Sequence, residues 1–597
     1  MTEFKHNIAS SVKNAIAKLY PAAVISEEEI FGMLEYPPDD TMGDVAFPCF
    51  KLSRTLRAAP PKIAAALFAE LEAMPPKGAG KVQLVGGYIN FFASCEFFAE
   101  SVLAPLCEKG ADYGRTYEGA GKTVVLDYSS PNTAKPFHIG HLGTTVIGHS
   151  LKLLHEYRGY SCVGINHLGD WGTQFGKLIT AYRKWGSRED IETGGIDKLV
   201  ELYVKFHEEA EKDPALGDEA RAEFTKLEHG DEENLALWRW FIDISLAEYQ
   251  KTYAQLGITF DSYNGESFYT DKMPEQVELL REKNLMKIDD GASIVDLSEY
   301  NMPPCLILKR DGSTLYPTRD IAAAVYRDRT YHFDKCIYVT SAGQSLHFAQ
   351  WFKVVELMGY DFASKLYHVP YGTVSIGGEK LATRTGNVIL LRDLFATSVE
   401  KVRAIMEEKN PNMQNKDEAA EAVGVGAIVF YYLSSNRIRD INFVMEEALD
   451  FNGNTGPYAQ YTYARTCSIL SKLGEEAAGA KAPLCTSLNK AERDLMKTFS
   501  LFPEKVDEAI AGMEPSIVTR YILELCGAFN RFYQACPIAT CEDAEKRALR
   551  ISLTRGTRDI LGKALELICI KHLEKIKPTL LWRKAGKRTL PHTLHYI

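Results

Sequence analysis

The chain has 597 residues, which at about 150 residues per domain corresponds to roughly four structural units and excludes one small fold. Hydrophobic residues make up 46% and charged residues 25%, a globular composition that excludes a disordered chain. The formal net charge of −10 argues against a protein that coats polyanions by bulk attraction, so any contact with nucleic acid must be local.

Neither a membrane segment nor a zinc site is expected. The longest strongly apolar run, Gly424 to Leu433, is far shorter than the ~20 residues that a bilayer requires. The cysteines are scattered without C-x-x-C spacing, which is typical of reduced thiols and not of bound zinc or a disulfide framework. We therefore predict a cytoplasmic protein with no membrane partner, and the apolar spacing in Met1 to Tyr20 predicts a first helix rather than a signal peptide.

Residues 1–117 are predicted to form a small α+β domain. After the first helix comes an Ala-rich helical stretch around Lys62 to Leu71, and the run Gly87 to Phe92 reads as a strand between glycine and a further helix. The Gly-rich stretch Tyr117 to Gly121 is predicted to be the linker to the next domain.

The next segment predicts a parallel sheet. Thr123 to Tyr128 is a β-branched apolar run typical of a buried strand, and apolar residues at helical spacing follow from Leu142 until a stop at Gly159. Ser161 to Asn166 returns as a second strand. A strand, helix and strand within about 45 residues form a βαβ unit whose ligand crevice lies at the carboxyl ends of the strands, so the chemistry is expected in the loop Ser129 to His141.

The rest of the chain predicts an α/β fold with helical additions. Residues from about 184 to 256 are charged and helical in pattern, which indicates an insertion into the sheet domain. Runs at Pro304 to Leu308, Cys336 to Thr340 and Leu366 to Pro370 are expected to complete the sheet, and a helical bundle is predicted from about Ala419 onward. The predicted domains are 1–117, 118–400 and 401–597.

The strongest motif is the segment from Ser129 to His141. His138 and His141 lie three residues apart where a helix begins, so their N–H groups and the free donors of the helix are placed to meet polyphosphate oxygens. Gly140 removes a side chain where an adenine ring can approach the backbone. A surface histidine pair that caps a helix is the alternative, but the preceding strand, the Pro-Asn loop and Lys135 favour phosphate binding.

These residues carry a resemblance to a known family. The tetrapeptide His138 to His141 matches the HIGH motif of class I aminoacyl-tRNA synthetases. With Asn166 to Gly172, Tyr316 to Ala322, Ser341 to Gln344 and Asn452 to Tyr458, most of the chain closely resembles arginyl-tRNA synthetases.

The resemblance implies a fold and a reaction. The fold is a Rossmann-type catalytic domain with a helical insertion, an N-terminal α+β domain that binds the tRNA D-loop, and a C-terminal all-helical anticodon-binding bundle. The reaction is activation of L-arginine by ATP with Mg2+ and transfer of the arginyl group to the terminal adenosine of tRNA(Arg), with tRNA bound before activation. We expect a monomer.

The second class I motif, KMSKS, is present in degenerate form as Lys380 to Asn387, with only its first lysine intact. A cation in such a loop stabilises the charge that develops on leaving pyrophosphate. The resemblance implies that Lys135 compensates for the weakened loop and that Arg384 contacts ATP. A solvated, glycine-bounded turn is the alternative.

Selection of arginine requires an acceptor pair for the planar guanidinium, and a carboxylate supplies it best. The resemblance assigns Asp320 and Tyr316 to the substrate side chain; both face one pocket if Pro317 opens a helix. Gln344, Asn132 and Glu266 would hold the α-amino and carboxylate groups. For Glu266 a surface turn is an equal alternative, and Asp127 stands where relatives often carry Glu, which leaves its role open.

Two positions are expected to meet tRNA. Tyr88 and Asn90 alternate onto one face of a strand, and the resemblance points that face at a D-loop base; core packing of Tyr88 is the alternative. In the bundle, Tyr458, Tyr461 and Arg465 share one helix face. We assign Tyr458 to tRNA binding and expect at least one of the three to pack against a neighbouring helix.

Three points stay open at the level of sequence. The basic segment Lys571 to Ile597 either binds RNA electrostatically or is a non-native terminus. A small-molecule adenylyltransferase is a rival, disfavoured by the insertion and the long helical third. A catalytically silent RNA-binding relative is another, disfavoured by the presence of His138, His141, Lys135 and Asp320.

Overall fold

The computed structural model describes residues 1–376, 379–380, 389–409, 415–479 and 487–574. Across these ranges no helix is long and apolar enough to cross a membrane. The predicted Lys380 to Asn387 motif lies largely outside the described residues. The basic segment Lys571 to Ile597 lies outside them from position 575 onward.

The N-terminal part combines helices with a small antiparallel sheet, as predicted. Its elements are α1 (Thr2–Leu19), α2 (Glu27–Met33), β1 (Val45–Pro48), α3 (Ser53–Leu56), α4 (Pro60–Ala73), β2 (Ala79–Val85), β3 (Tyr88–Ala93), α5 (Cys95–Phe98) and α6 (Ala104–Lys109). The first helix is confirmed, because Phe4, Ile8 and Val12 are fully buried on one side of α1. β1 and β2 both pair antiparallel with β3, so the predicted strand is the centre of this sheet.

The middle of the chain contains the parallel sheet and its connections. In order these are β4 (Thr123–Asp127), α7 (Gly140–Tyr157), β5 (Ser161–Ile165), α8 (Thr173–Trp185), α9 (Arg188–Lys212), α10 (Ala215–Glu228), α11 (Glu232–Leu256), α12 (Met273–Glu282), β6 (Met286–Asp289), β7 (Ala292–Val295), β8 (Cys305–Leu308), α13 (Tyr316–Tyr331), β9 (Lys335–Ser341), α14 (Ser345–Leu357) and β10 (Leu366–Tyr371). β4 pairs parallel with β5 and β9, and β9 pairs parallel with β10. The predicted βαβ unit is therefore confirmed.

The expectation that Pro304 to Leu308 completes the main sheet is wrong. This run forms β8, which pairs antiparallel with β7, and β7 pairs antiparallel with β6 in a separate sheet. The short connection between β7 and β8 explains the difference, because neighbouring strands joined without a crossover helix pair antiparallel. The other two predicted strands, β9 and β10, do join the parallel sheet.

The last part of the described chain is mostly helical. Its elements are β11 (Val374–Ile376), β12 (Glu379–Lys380), α15 (Leu391–Lys409), α16 (Lys416–Ser434), β13 (Ile441–Phe443), α17 (Met445–Ala448), α18 (Gly456–Leu473), α19 (Glu475–Gly479), α20 (Lys490–Ala511), α21 (Ser516–Ala535) and α22 (Ala544–Leu567). The exception to the predicted helical run is β13, which pairs parallel with β11 and so ties the start of this part to the segment after β10.

Helix α7 lies between the parallel sheet and the bundle. A side chain at Gly148 would collide with Tyr128 beside β4, and the Ser150 hydroxyl donates to the carbonyl oxygen of Leu567 (2.7 Å) at the end of α22. At its carboxyl end, the buried Arg158 donates to Asp507 of α20 (2.6 Å). The helix that begins at the HIGH motif is thus fixed on both sides.

Candidate active site at the carboxyl ends of the parallel strands

The order β10-β9-β4-β5 locates a crevice. The chain leaves β4 toward β5 on one side, and β9 lies on the other side of β4, so the connections diverge above the carboxyl ends of β4 and β9. The loop after β4 is joined to the loop after β5 by backbone hydrogen bonds. Thr133 donates to the carbonyl oxygen of Gly169, and Gly169 donates to that of Pro131, both at 3.1 Å.

The two HIGH histidines have a defined tautomer. The backbone N–H of His138 donates to Nδ1 of His141 (3.2 Å), and that of Gly140 donates to Nδ1 of His138 (3.1 Å). Because both Nδ1 atoms accept, each neutral ring carries its proton on Nε2. Burial lowers the pKa of His138 to about 4, and burial followed by the neighbouring His138 lowers the pKa of His141 to about 3. At neutral pH both rings are uncharged N–H donors.

Gly140 has a role that the sequence did not reveal. A β-carbon at this position would lie 2.8 Å from Cε1 and 2.9 Å from Nδ1 of His138. The glycine therefore makes room first for the imidazole ring of the motif itself, and a larger residue would displace that ring.

The segment after the KMSKS-like loop is hydrogen-bonded to the HIGH segment. Ile139 N–H donates to the carbonyl oxygen of Ile389 (3.2 Å), and Leu391 N–H donates to that of Phe137 (2.9 Å). Lys380 lies in β12, opposite Ser375 of β11. Arg384 lies outside the described residues. The HIGH segment is thus joined by backbone pairing to residues 389–391, which follow the KMSKS-like motif and lie far away in sequence.

Three of the five predicted arginine-binding residues lie at or near the start of α13 and α14. Helix α13 begins at Tyr316 with Pro317 in its first turn, as expected. Tyr316 is 66% exposed. Asp320, one turn later, has a carboxylate oxygen 2.6 Å from Nε2 of His347 on α14, within hydrogen-bond distance. Gln344 is exposed and ends the turn that leads into α14.

Glu266 is not in an exposed turn. It accepts a hydrogen bond of 2.8 Å from Nη1 of Arg319, and both side chains are largely buried. Burial raises the pKa of Glu266 to about 7; Arg319 opposes this rise, while Asp170 and Asp320 add to it. Because these carboxylates influence one another, Glu266 and Asp320 belong to one charged cluster.

Asn132 and Lys135 occupy the loop between β4 and the HIGH motif. Asn132 is exposed, and Lys135 is half-buried. Burial, with Lys177 nearby, lowers the pKa of Lys135. One hydroxyl, that of Tyr249 on α11, bonds to the carbonyl oxygens of both residues, at 2.9 Å for Asn132 and 2.6 Å for Lys135.

The sequence analysis missed the contribution of α11. Ser245 Oγ accepts from the N–H of Ala134 (2.9 Å), and the hydroxyl of Tyr253 lies 2.7 Å from Ser129 Oγ. Ser245, Tyr249 and Tyr253 recur at every fourth position, which is a hydroxyl-bearing stripe along one helix face. That spacing is the signal that would have identified them.

Asp127, whose role the sequence left open, pairs with the buried guanidinium of Arg327. Asp127 accepts from Nη2 of the fully buried Arg327 (2.8 Å) and from Ser130 Oγ (2.8 Å). His167 Nδ1 lies 3.3 Å from the same Nη2. Asp127 thus neutralises a guanidinium beneath the loop. In the described ranges, no group of three or more His, Cys, Asp or Glu side chains is arranged to hold a metal ion.

The two N-terminal candidates differ in exposure. Tyr88 is 37% exposed, with its ring centroid 5.5 Å from that of Phe50, so the core-packing alternative is wrong. Asn90 is only 3% exposed, because it lies on the central strand between Ala46 and Gln83. Only the tyrosine is presented to solvent.

In the bundle, Tyr458 is half-buried, and its hydroxyl accepts a hydrogen bond from Nδ2 of Asn530 on α21 (2.7 Å). Of Tyr458, Tyr461 and Arg465, at least one was expected to pack against a neighbouring helix, and Tyr458 does so. Arg465 lies over the ring of Tyr461 (4.8 Å) and near that of Tyr533 (5.7 Å). These rings leave an aromatic and cationic face beside Tyr458.

Three family descriptions match successive parts of the chain. Residues 6–93 match "Arginyl tRNA synthetase N terminal domain", residues 104–445 match "tRNA synthetases class I (R), catalytic domain", and residues 459–576 match "DALR anticodon binding domain". The catalytic match alone spans more than half of the chain.

Similar proteins agree over nearly the whole length. The chain is 48% identical over 582 residues to an arginine–tRNA ligase of Alkaliphilus metalliredigens, covering 96% of this chain and 100% of that protein. It is 48% identical over 549 residues to one of Clostridium perfringens, covering 92% and 97%.

Solved structures share the fold. Arginyl-tRNA synthetase of Thermus thermophilus aligns with a TM-score of 0.80 at 25% identity, covering 95% of this chain and 99% of that chain. The enzyme of Plasmodium falciparum aligns in fold with a TM-score of 0.78 at 24% identity, covering 95% and 98%. The chain belongs to the arginyl-tRNA synthetases, the class I aminoacyl-tRNA synthetases that join arginine to tRNA.

Proposed function

We propose that the crevice above β4 and β9 catalyses both half-reactions on ATP, L-arginine and tRNA(Arg). The carboxylate of arginine attacks the α-phosphorus of ATP, and pyrophosphate leaves. A hydroxyl of the terminal adenosine then attacks the carbonyl carbon, and AMP leaves as the arginyl ester forms. The observation that carries the proposal is the pair of neutral Nε2–H donors of His138 and His141 at the start of α7.

The phosphate side of the site consists of donors that need no proton transfer. His138 and His141 donate to the phosphate oxygens, and Lys135 and Lys380 stabilise the charge that grows on the pyrophosphate. Gly140 leaves room for the nucleotide, and Arg384 contacts it. The depressed pKa values support this role, because a neutral imidazole keeps its Nε2–H over the whole physiological range.

The arginine side consists of carboxylates and amides. Asp320 pairs with the guanidinium, and Tyr316 covers it from the same end of α13. Gln344, Asn132 and Glu266 hold the α-amino and carboxylate groups. The shared charged cluster of Glu266 and Asp320 supports a site for a substrate that carries two cationic groups.

We assign the tRNA contacts to the flanking domains, with the division 1–117, 118–400 and 401–597 and an insertion at about 184–256. Tyr88 stacks on a D-loop base, while the buried Asn90 supports the strand beneath it. Tyr458 contacts the anticodon stem-loop from the aromatic face of α18. The family descriptions that match residues 6–93 and 459–576 support this assignment.

Mg2+ enters with ATP, and when bound it neutralises phosphate charge. The donor set of His138, His141 and Lys135 fits a polyphosphate that arrives with its own cation. We further propose a monomer that acts in the cytoplasm and binds no zinc. The cysteines of the described ranges, which are all free thiols, support a reducing compartment.

The test replaces the imidazoles. We expect His138→Ala or His141→Ala to slow arginine-dependent ATP–pyrophosphate exchange, measured with saturating tRNA, by about ten- to a thousandfold, the loss of a transition-state donor worth a few kcal/mol. Thermal stability measured in parallel separates catalysis from folding. Unchanged single-turnover rates in the folded double variant would exclude the phosphate-binding role.

A further inference from the structure

We propose that helix α11 is a clamp that holds two segments in place, the loop before the HIGH motif and the start of α15, and that Tyr249 is a positioning residue for adenylate formation. The inference rests on the proposed function, because it assigns consequences to the placement of Asn132, Lys135 and His141. None of the motifs includes α11.

The loop that α11 contacts does not hold its own shape. Ser129, Ser130 and Ala134 have φ values of 70°, 44° and 57°, a region that residues with a β-carbon rarely adopt. Such conformations persist only where surrounding contacts impose them. The loop also has backbone groups that no regular element satisfies, so they need donors and acceptors from elsewhere.

Helix α11 supplies these contacts from one face. The Tyr249 hydroxyl lies 2.9 Å from the carbonyl oxygen of Asn132 and 2.6 Å from that of Lys135, and its single proton is shared between them. Ser245 accepts the N–H of Ala134 (2.9 Å), which is one of the residues with positive φ. Tyr253 binds Ser129, which is another. Three successive turns of α11 therefore contribute contacts that hold the loop, beside those that it makes with Thr144, Asn166 and Gly169.

The clamp extends to a catalytic imidazole through Phe137. The ring centroid of Phe137 lies 5.3 Å from that of Tyr249 and 5.5 Å from that of Tyr253. On its other side, Phe137 stacks on His141 with centroids 5.0 Å apart and ring planes 11° apart. A shift of α11 is therefore transmitted to the ring that donates to the phosphate.

The same helix also holds the segment after the KMSKS-like loop. Glu248, the neighbour of Tyr249, accepts from Nη1 of Arg392 (3.2 Å), while Asp197 of α9 accepts from Nη2 with both carboxylate oxygens (3.0 and 2.8 Å). Arg392 is the second residue of α15 and directly follows Leu391, whose N–H donates to Phe137. Helix α11 thus contacts both the HIGH segment and the start of α15, the two segments that the backbone pairing joins.

The arrangement predicts a particular kinetic signature. Asn132 lies on the arginine side and Lys135 on the phosphate side, and one hydroxyl sets the spacing of their backbones. Loss of that hydroxyl should misplace the reacting groups while leaving most substrate contacts in place. Misplacement by about 1 Å lowers rates by up to about a hundredfold.

The first experiment uses Tyr249→Phe, which removes the hydroxyl and keeps the ring on Phe137. We expect kcat for ATP–pyrophosphate exchange with saturating tRNA to fall by about ten- to a hundredfold, with the KM for ATP changed less than about threefold and Tm by only a few degrees. The matched control is Tyr203→Phe, which makes the same change on α9. Within the described ranges the Tyr203 hydroxyl makes no hydrogen bond to the loop. The kcat of this variant should stay within twofold of the wild-type value.

The second experiment tests the shared clamp with Arg392→Gln and the double variant Tyr249→Phe/Arg392→Gln. If both act through α11, the double variant should lose clearly less activity than the product of the two single losses. Fully multiplicative losses would overturn the shared clamp. A Tyr249→Phe enzyme with a lower Tm and an unchanged kcat would overturn the positioning role.

The His138→Ala variant, assayed in parallel, distinguishes failure of the clamp from failure of the proposed phosphate site. A large loss in His138→Ala with a wild-type rate in Tyr249→Phe would overturn the clamp alone. An unaffected His138→Ala enzyme would overturn the proposed phosphate site, and the clamp with it.

Discussion

Two single residues of the charged cluster at the carboxyl ends of the strands, Asp320 and Glu266, are each held by a partner side chain. Asp320 is held by His347 at 2.6 Å, and Glu266 is held by Arg319 at 2.8 Å. Each carboxylate has one partner from another element, so its orientation is fixed before a substrate arrives. A preorganised carboxylate recognises a guanidinium with little loss of side-chain freedom.

Replacement of Asp320 by Asn keeps the shape and removes the charge. We expect kcat/KM for arginine to fall by at least about a hundredfold, because a desolvated guanidinium loses its charged partner. The KM for ATP should change little. Steady-state exchange assays with arginine and ATP varied in turn measure both, and His347→Gln serves as the control that removes only the orienting partner. Arginine use that is untouched in Asp320→Asn would mean that the carboxylate is structural.

At the scale of elements, β3 presents one residue to solvent and hides another on the same strand. Tyr88 begins the strand, where the sheet ends and its ring can project beside Phe50. Asn90 lies two residues further in, flanked by β1 and β2 on either side. Strand alternation places both side chains on one face, but the position along the sheet decides which of them is covered.

This difference makes a test of the tRNA contact possible. Tyr88→Ala should raise the KM for tRNA by a factor equivalent to about 1 to 3 kcal/mol, the scale of one lost stacked base, with little effect on Tm. Asn90→Ala should instead lower Tm, because truncation of a buried side chain on the central strand leaves a cavity. Val85→Ala, which lies opposite Tyr88 on β2 and is also exposed, is the matched control. An unchanged KM in Tyr88→Ala would exclude the stacking contact.

At the scale of the whole molecule, α20 joins the three parts of the chain. Arg158 at the end of α7 donates to Asp507 (2.6 Å) and also to the carbonyl oxygen of Pro503. From the N-terminal part, Lys5 forms an ion pair with Glu504 (3.3 Å). Because Arg158 is 1% exposed, loss of the Asp507 carboxylate within the folded molecule would leave a buried cation without its nearest acidic partner.

Stability of the whole molecule should fall as pH falls from 7 to 5. Burial is the main cause of the lowered pKa values of seven histidines, and the lowering is largest in five of them: the pKa of His141 is about 3, and those of His138, His149, His155 and His368 are about 4. In the unfolded chain a histidine has a pKa of about 6.5 and binds a proton below that pH, whereas in the folded chain it stays neutral. Each such histidine therefore lowers the free energy of unfolding by at most about 1.4 kcal/mol per pH unit, until the pH reaches its folded pKa. Glu266, with its raised pKa, acts in the opposite direction between about 7 and 4.5.

Denaturant unfolding at pH 7, 6 and 5 measures this dependence. His155 is the best probe because it is fully buried, lies outside the site, and its Nε2 has no partner within the described ranges. His155→Leu should make the decline in unfolding free energy less steep by up to about 1.4 kcal/mol per pH unit below 6.5. An identical slope in the variant and the wild type would contradict the assigned pKa.

Features that depend on a local pattern could be predicted from the amino-acid sequence alone. The βαβ unit from Thr123 to Ile165 followed from a β-branched run, a helical period and a second apolar run, each read within a short window. The family followed from contiguous motifs, because groups that must surround a nucleotide keep short spacings in the loops after parallel strands.

Which distant residues complete the site depends on tertiary packing and on no local pattern. The run that forms β8 has the same apolar pattern as β9 and β10, and its place in another sheet depends on the pairing of β7. Tyr249 lies 114 residues from Lys135, and His347 lies 27 from Asp320; nothing in either local pattern names the partner. Such contacts arise from the packing of whole helices. The position of a helix is stabilised by its entire buried face, and the few atoms that meet in the site contribute little to it.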